Sequence, residues 1–224
     1  MISIAKKEFL SLIKSIKAIV IIIIFVFFSY YLSEFLAKTA GEINDKGAVY
    51  SSIRFLVFIL GYLFASILSH NTINKEMELK TVRLVITKIS RSRFWLGKYF
   101  GILLFWFVCL TVTCALIAIM SGTIDISVYF MTLITMLYFV SLIMLLSTVI
   151  EKTALSNFFG LLLGIFIPLI GIWLTLKEGM FFGVLKYFFP YTYILNNDIT
   201  LLVPVAISGI LVMVSLLIFN KKEL

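Results

Sequence analysis

The sequence contains one histidine, His70, two cysteines and three prolines, and Asp, Glu, Lys and Arg together make up only 13% of its residues. Each shortage excludes something. A lone histidine rules out an H-E-x-x-H zinc site or any paired-histidine centre, and neither a G-x-x-x-x-G-K-[ST] phosphate loop nor a G-x-S-x-G elbow occurs. The chain is therefore not expected to hydrolyse ATP or act as an enzyme by itself. Cys109 and Cys114 share one apolar run and, five residues apart, point to different faces of a helix, so neither a disulfide framework nor a metal site follows. Soluble domains are about 25% charged and roughly 45–50% apolar. Here 62% of residues are hydrophobic and the mean hydropathy is +1.14, the composition of an integral membrane protein.

Acidic residues are also missing from the middle of every long apolar run. Proton- and sodium-coupled carriers keep a carboxylate there, despite an insertion cost of about 2.5–3.5 kcal/mol, because it binds the coupling ion. Any transport by this chain must draw energy from elsewhere. Glu34 and Arg54 are the nearest charges, and both fall at the outer ends of apolar runs.

Crossing the hydrocarbon takes about 20 residues, and such runs lie at 16–36, 55–73, 99–120, 126–150, 154–176 and 199–220. The expected fold is thus all-α, with six transmembrane helices in a single domain, 1–224. An even number of spans puts both termini on one side. Fourteen of the nineteen Lys and Arg residues fall at the N-terminus, in the 70–98 segment, at Lys152 and in the Lys221-Lys222 tail, the other five being Lys38, Lys46, Arg54, Lys177 and Lys186. By the positive-inside rule both termini are cytoplasmic. The net charge of +8 follows from these loops; no basic-aromatic module for nucleic acid is visible, so the lipid bilayer and no nucleic acid is expected.

Residues 1–17 place Ile2, Ala5, Phe9, Leu12, Ile13 and Ile16 at helical spacing beside Lys6, Lys7, Lys14 and Lys17. This reads as an amphipathic interfacial helix drawn to anionic lipid, or as a frayed end of the first span. Phe28, Tyr30 and Tyr31 stand where a signal peptide needs small residues, so the segment is expected to be retained. The first outer loop, 37–52, reads as a short solvated connection around Lys38, Gly41, Glu42, Asp45, Lys46 and Gly47, and Ser121 to Asp125 and Glu151-Lys152 read as tight turns. The segment 177–198 is rich in Phe and Tyr and broken by Gly179, Gly183 and Pro190, which predicts short re-entrant or surface helices, or an ordinary loop with an aromatic belt. Three spans on either side of the middle, each half with a long loop after its second span, outline an inverted repeat.

Ser156, Gly160, Gly164 and Pro168 recur every four residues in the fifth span, a small-residue face that serves either packing within the chain or a dimer seam. Gly61 and Ala65 form a weaker version, and Pro168 permits a bend.

The one long polar segment is 70–98, with seven basic residues. From Asn74 it reads as a short amphipathic helix: Asn74 as cap, Glu76 and Glu78 in the first turn, and Met77, Thr81, Leu84 and Val85 on one face. Ser90 or Ser92 then caps the third span. Such a helix at the membrane surface can receive a push from a soluble partner; the other reading is a basic loop held on anionic lipid. His70, where the second span leaves the membrane, reads as an interfacial histidine.

In this segment Glu76-Met77-Glu78-Leu79-Lys80-Thr81, then Ile89-Ser90-Arg91 and Leu96-Gly97-Lys98, resemble the E-x-E-x-G-T, P-[IV]-S-R and G-K patterns of the permease subunits of ABC-2 type transporters. The N-terminal KKEFLSLIKS is also similar to that family's opening. Lys80 and Lys88 depart, standing where glycine and proline are usual. The resemblance implies a bacterial multi-pass subunit that binds no cofactor, pairs as a homodimer or heterodimer, and works with two copies of a separate ABC ATPase carrying ATP and Mg. It further implies that the 70–98 loop contains a coupling helix that contacts that ATPase. Glu76, Glu78, Thr81, Arg91 and Lys98 then serve coupling or loop architecture, with no catalytic residue and no metal ligand. The expected activity is ATP-driven export of an amphipathic or hydrophobic cargo such as an antimicrobial peptide or toxin. Alternatives are export of small drugs, ions or lipids, a secondary carrier or channel, and a nontransporting scaffold.

Overall fold

A computed structural model describes residues 1–40, 45–69, 71–82, 87, 89–122, 124–176, 186–196 and 201–222. Helices account for nearly all of them, and no strand occurs among the described residues. The helices are α1 (Ile2–Ile13), α2 (Ile16–Ala40), α3 (Asp45–Ser69), α4 (Asn71–Glu78), α5 (Arg91–Ser121), α6 (Ile126–Val149), α7 (Thr153–Leu176), α8 (Tyr191–Asn196) and α9 (Leu202–Lys221), with a 3-10 turn at Lys186–Phe188. Five helices are long and apolar enough to cross a membrane, and the joined pair α1–α2 makes a sixth. That pair bends by 68°, which sets α1 apart as a helix in its own right.

Where the apolar pattern stops, the helices often do not. α5 has 31 residues, about 46 Å at ~1.5 Å per residue, against a hydrocarbon core of about 30 Å. Its first turns carry Arg91 and Lys98 beyond the apolar run, so the third span begins eight residues before the boundary that hydropathy suggests. Ser90 occupies its N-cap position with extended backbone, though its side chain makes no capping bond. At the other end Gly122 closes the helix at φ 66, and Asp125 caps α6 by accepting from the Val128 N–H.

α3 and α6 form the centre: α3 packs on α2, α6 and α7, while α6 also meets α5, α4 and α9. Buried hydroxyls on α6 need partners in the absence of water. Thr132, Thr135 and Ser141 bond back to the carbonyls of Tyr129, Met131 and Leu137 at 2.9, 2.8 and 2.8 Å. Between helices, Tyr99 and Ser141 hydroxyls are 2.8 Å apart, and those of Thr148 and Ser215 2.9 Å. These few polar contacts fix which faces of the oily helices meet.

The small-residue face of α7 turns inward. Gly164 lies against Leu63 of α3, and a Cβ on Gly160 would collide with Ser66 Oγ; Ser156 and Pro168 are buried on this side. The face thus serves packing within the chain. One further residue extends it: Gly171 receives the ring of Tyr191, fully buried with its centroid 4.3 Å from that of Phe58 and 6.4 Å from Phe139. Tyr138 donates to the Phe188 carbonyl at 3.1 Å, so 186–193 packs between α3, α6 and α7. Expectations for Gly41, Glu42, His70, Leu84, Val85, Lys88, Lys177, Gly179, Gly183 and Asp198 lie outside the described residues.

Candidate functional site

One end of the bundle gathers α1, α4, the start of α5, the end of α6, the start of α7 and the end of α9. At its centre is α4, and here the sequence reading needs correction. Asn74 is not the cap: it sits inside α4 (Asn71–Glu78), and Glu76 and Glu78 fall in its last turn. The cause is tertiary. Ile73 and Asn74 are fully buried, and Asn74 Oδ1 accepts from Ser147 Oγ of α6 at 2.5 Å, a contact that overrides the cap preference.

Two acids at a helix C-terminus oppose the helix dipole, and each is compensated from outside α4. Glu76 Oε1 lies 2.5 Å from Lys98 Nζ, which also holds Glu8 Oε2 of α1 at 3.0 Å. Lys98 is 6% exposed and thus shielded from water, whereas the Glu76 side chain stays 30% exposed. Glu78 instead reaches the start of α7, where Oε2 accepts from the Thr153 hydroxyl and from its N–H. It thereby caps a second helix at its positive end. These bonds, the Thr153 hydroxyl foremost, hold the exposed Glu78 carboxyl below its ordinary value.

The end of α4 explains the E-x-E-x-G-T pattern. Lys80 has φ 55, the left-handed region that glycine adopts without steric cost, and its N–H bonds the Met77 carbonyl at 3.0 Å. Thr81 Oγ1 then donates to the Glu76 carbonyl at 3.2 Å, where a backbone N–H would otherwise complete the C-cap. Lysine at position 80 leaves the turn intact and strains it.

Arg91 performs the converse role for the last span. Its Nη1 donates to the carbonyls of Asn220 and Lys222 at 2.9 and 2.7 Å, capping the C-terminal end of α9. Lys222 in turn pairs with Glu151 at 3.1 Å and reaches the Val149 carbonyl of α6 at 3.4 Å. Glu76 and Lys98 therefore meet directly, whereas Glu78, Thr81 and Arg91 act at separate points around the same end.

The sequence reading missed Glu8 and Gly101, and gave Gly97 no role beyond its match to the G-K pattern. A Cβ on Gly97 would lie 2.8 Å from Ile4 Cβ, and one on Gly101 2.7 Å from Glu8 Cβ and 2.9 Å from the Ala5 carbonyl. α1 thus rides directly on the α5 backbone, and this approach is what lets Glu8 reach Lys98. The signal was present: Gly97 and Gly101 are four apart, and Glu8 shares a helical face with Ala5 and Leu12. Among the described residues, no cluster of His, Cys, Asp or Glu could hold a metal ion.

Long apolar helices with bonded polar chemistry concentrated at one end define a multi-pass helical membrane protein. The chain belongs to the ABC-2 family transporter proteins, whose family model matches residues 2–224. It is a membrane permease subunit of an ABC transporter, and its family implies association with an ABC ATPase. No curated protein matches it.

Proposed function

We propose that this single domain works as an exporter of amphipathic or hydrophobic cargo, such as an antimicrobial peptide, driven by two copies of a partner ABC ATPase that carry the ATP and Mg. It sits in a bacterial cytoplasmic membrane with both termini cytoplasmic, paired with a second permease as homodimer or heterodimer. The observation that carries this reading is the attachment of α4: one short polar helix bonded by Asn74, Glu76 and Glu78 to α6, α5 and α7. A force applied to α4 by the ATPase reaches these spans without passing through a flexible link. Glu76, Glu78, Thr81, Arg91 and Lys98 act in this scheme as transmitting residues, none of them catalytic. The apolar spans, free of central carboxylates, supply no ion-coupling site and suit a cargo that partitions into lipid.

The test is transport by the permease reconstituted in vesicles with its ATPase. Wild type is expected to move a fluorescent amphipathic peptide only with ATP, and Glu76→Ala with Glu78→Ala to lose transport while the ATPase still binds nucleotide. Retention of both ATPase association and peptide transport in that variant overturns the coupling assignment. Movement of a small drug, ion or lipid but no peptide overturns the cargo class.

A further inference from the structure

Beside the triad, α1 and the end of α3 enclose a cleft of about 380 Å³. Lys7 and Lys17 line one side, Lys75 the other, and the hydroxyl-bearing Ser11, Ser15 and Thr72 lie between them. All three lysines are exposed, and none forms an ion pair among the described residues. The two carboxylates on the wall, Glu8 and Glu76, are already held by Lys98. The cleft is therefore short of negative charge.

Its position selects the source of that charge. The remaining wall is Leu12, Ile67 and Leu68, so the cleft straddles the last apolar turns of α3 and the first polar ones of α4. From Lys17 the same face of α2 continues through Val20 and Ile24, 47% and 36% exposed, along the span. A free anion has no use for that track, whereas an acyl chain does.

We propose that this cleft binds the phosphodiester headgroup of an anionic phospholipid, with an acyl chain along Val20 and Ile24. The cleft shares Glu76 and Lys98 with the coupling end, but its lipid depends neither on the cargo nor on the ATPase. It differs from diffuse attraction of a basic surface in requiring Lys7, Lys17 and Lys75, while Lys6 and Lys14 do not line the cleft.

Native mass spectrometry of the full chain in detergent, titrated with phosphatidylglycerol, phosphatidylcholine or inorganic phosphate, tests this. One phosphatidylglycerol is expected to bind at least tenfold more tightly than either of the others. The triple variant Lys7→Gln, Lys17→Gln, Lys75→Gln should weaken it by about a hundredfold, at roughly fivefold per lysine. Lys6→Gln with Lys14→Gln should change it less than twofold. Ser11→Phe, which fills the cleft without altering charge, should also abolish binding. Equal losses in the two lysine variants, binding preserved in Ser11→Phe, equal affinity for phosphatidylcholine, or phosphate binding as tightly as the lipid would each overturn the proposal.

Discussion

Lys98 Nζ and Glu76 Oε1 lie 2.5 Å apart although 22 residues separate them in sequence, and Lys98 is almost fully shielded. A charge in that position depends on its partners, since removing one leaves the other desolvated. Glu76→Gln is expected to cost about 2 kcal/mol of unfolding free energy in detergent. Because Lys98→Met removes the same interaction, the double variant should be less destabilised than the sum of the two by at least about 1 kcal/mol. Simple additivity in chemical denaturation would show the contact to be energetically idle.

At position 80 the backbone asks for glycine and receives lysine. Lys80→Gly should stabilise the protein by up to about 1 kcal/mol, and Lys80→Val should destabilise it, a β-branched residue being poorly suited to positive φ. The melting temperatures of the two variants should move in opposite directions from wild type. If the two shifts share a sign, the turn at Lys80 is wrongly described.

Gly97 and Gly209 are both helical glycines with opposite surroundings: one touches α1, and nothing lies within 4 Å of the other's added Cβ. Gly97→Ala is expected to push α1 away and cost about 1–3 kcal/mol, an overpacking effect. Gly209→Ala should be neutral or stabilising by up to about 1 kcal/mol through helix propensity. Protease sensitivity of the α1 segment, rising only in the Gly97 variant, separates displacement of α1 from general loss of stability.

The Glu78 carboxyl, held below its ordinary value of 4.5 by Thr153, stabilises the α4–α7 junction in its charged form. A carboxyl with a depressed value contributes above its unfolded value and loses that contribution as pH falls through the folded one. Glu78→Gln should therefore be less stable than wild type near pH 6, and the gap should close as the pH falls from 4.5 through the depressed folded-state value. Unfolding midpoints of both proteins across that range give the difference directly. A gap that stays constant with pH would mean the charge is irrelevant to the junction.

The spans were legible because an uninterrupted apolar run of about 20 residues has few other fates. Helix ends were less so. Hydropathy stops α3 and starts α5 at the polar boundary, yet Arg91 to Lys98 remain helical because nothing outside the hydrocarbon penalises a helix with bonded side chains. Asn74 misled for a related reason: its cap preference is local, while the bond to Ser147 joins residues 73 apart. Glu8 sat unnoticed among lysines because charge counting treats an acid there as a deduction from the basic total, whereas packing makes it the residue that the buried Lys98 requires.

The docking of α1 also constrains the order in which the molecule can be made. α1 is synthesised before α5, and Lys98, on which it rests, follows Glu8 by 90 residues. At about 5–20 residues per second, translation needs on the order of ten seconds to deliver them. During that interval α1 lacks its α5 surface, and its exposed Ile2 and Ile13 depend on lipid for cover. Biogenesis thus proceeds with a waiting helix that docks once the third span has inserted. The Arg91 bond to Lys222 joins residues 131 apart, so it forms later still.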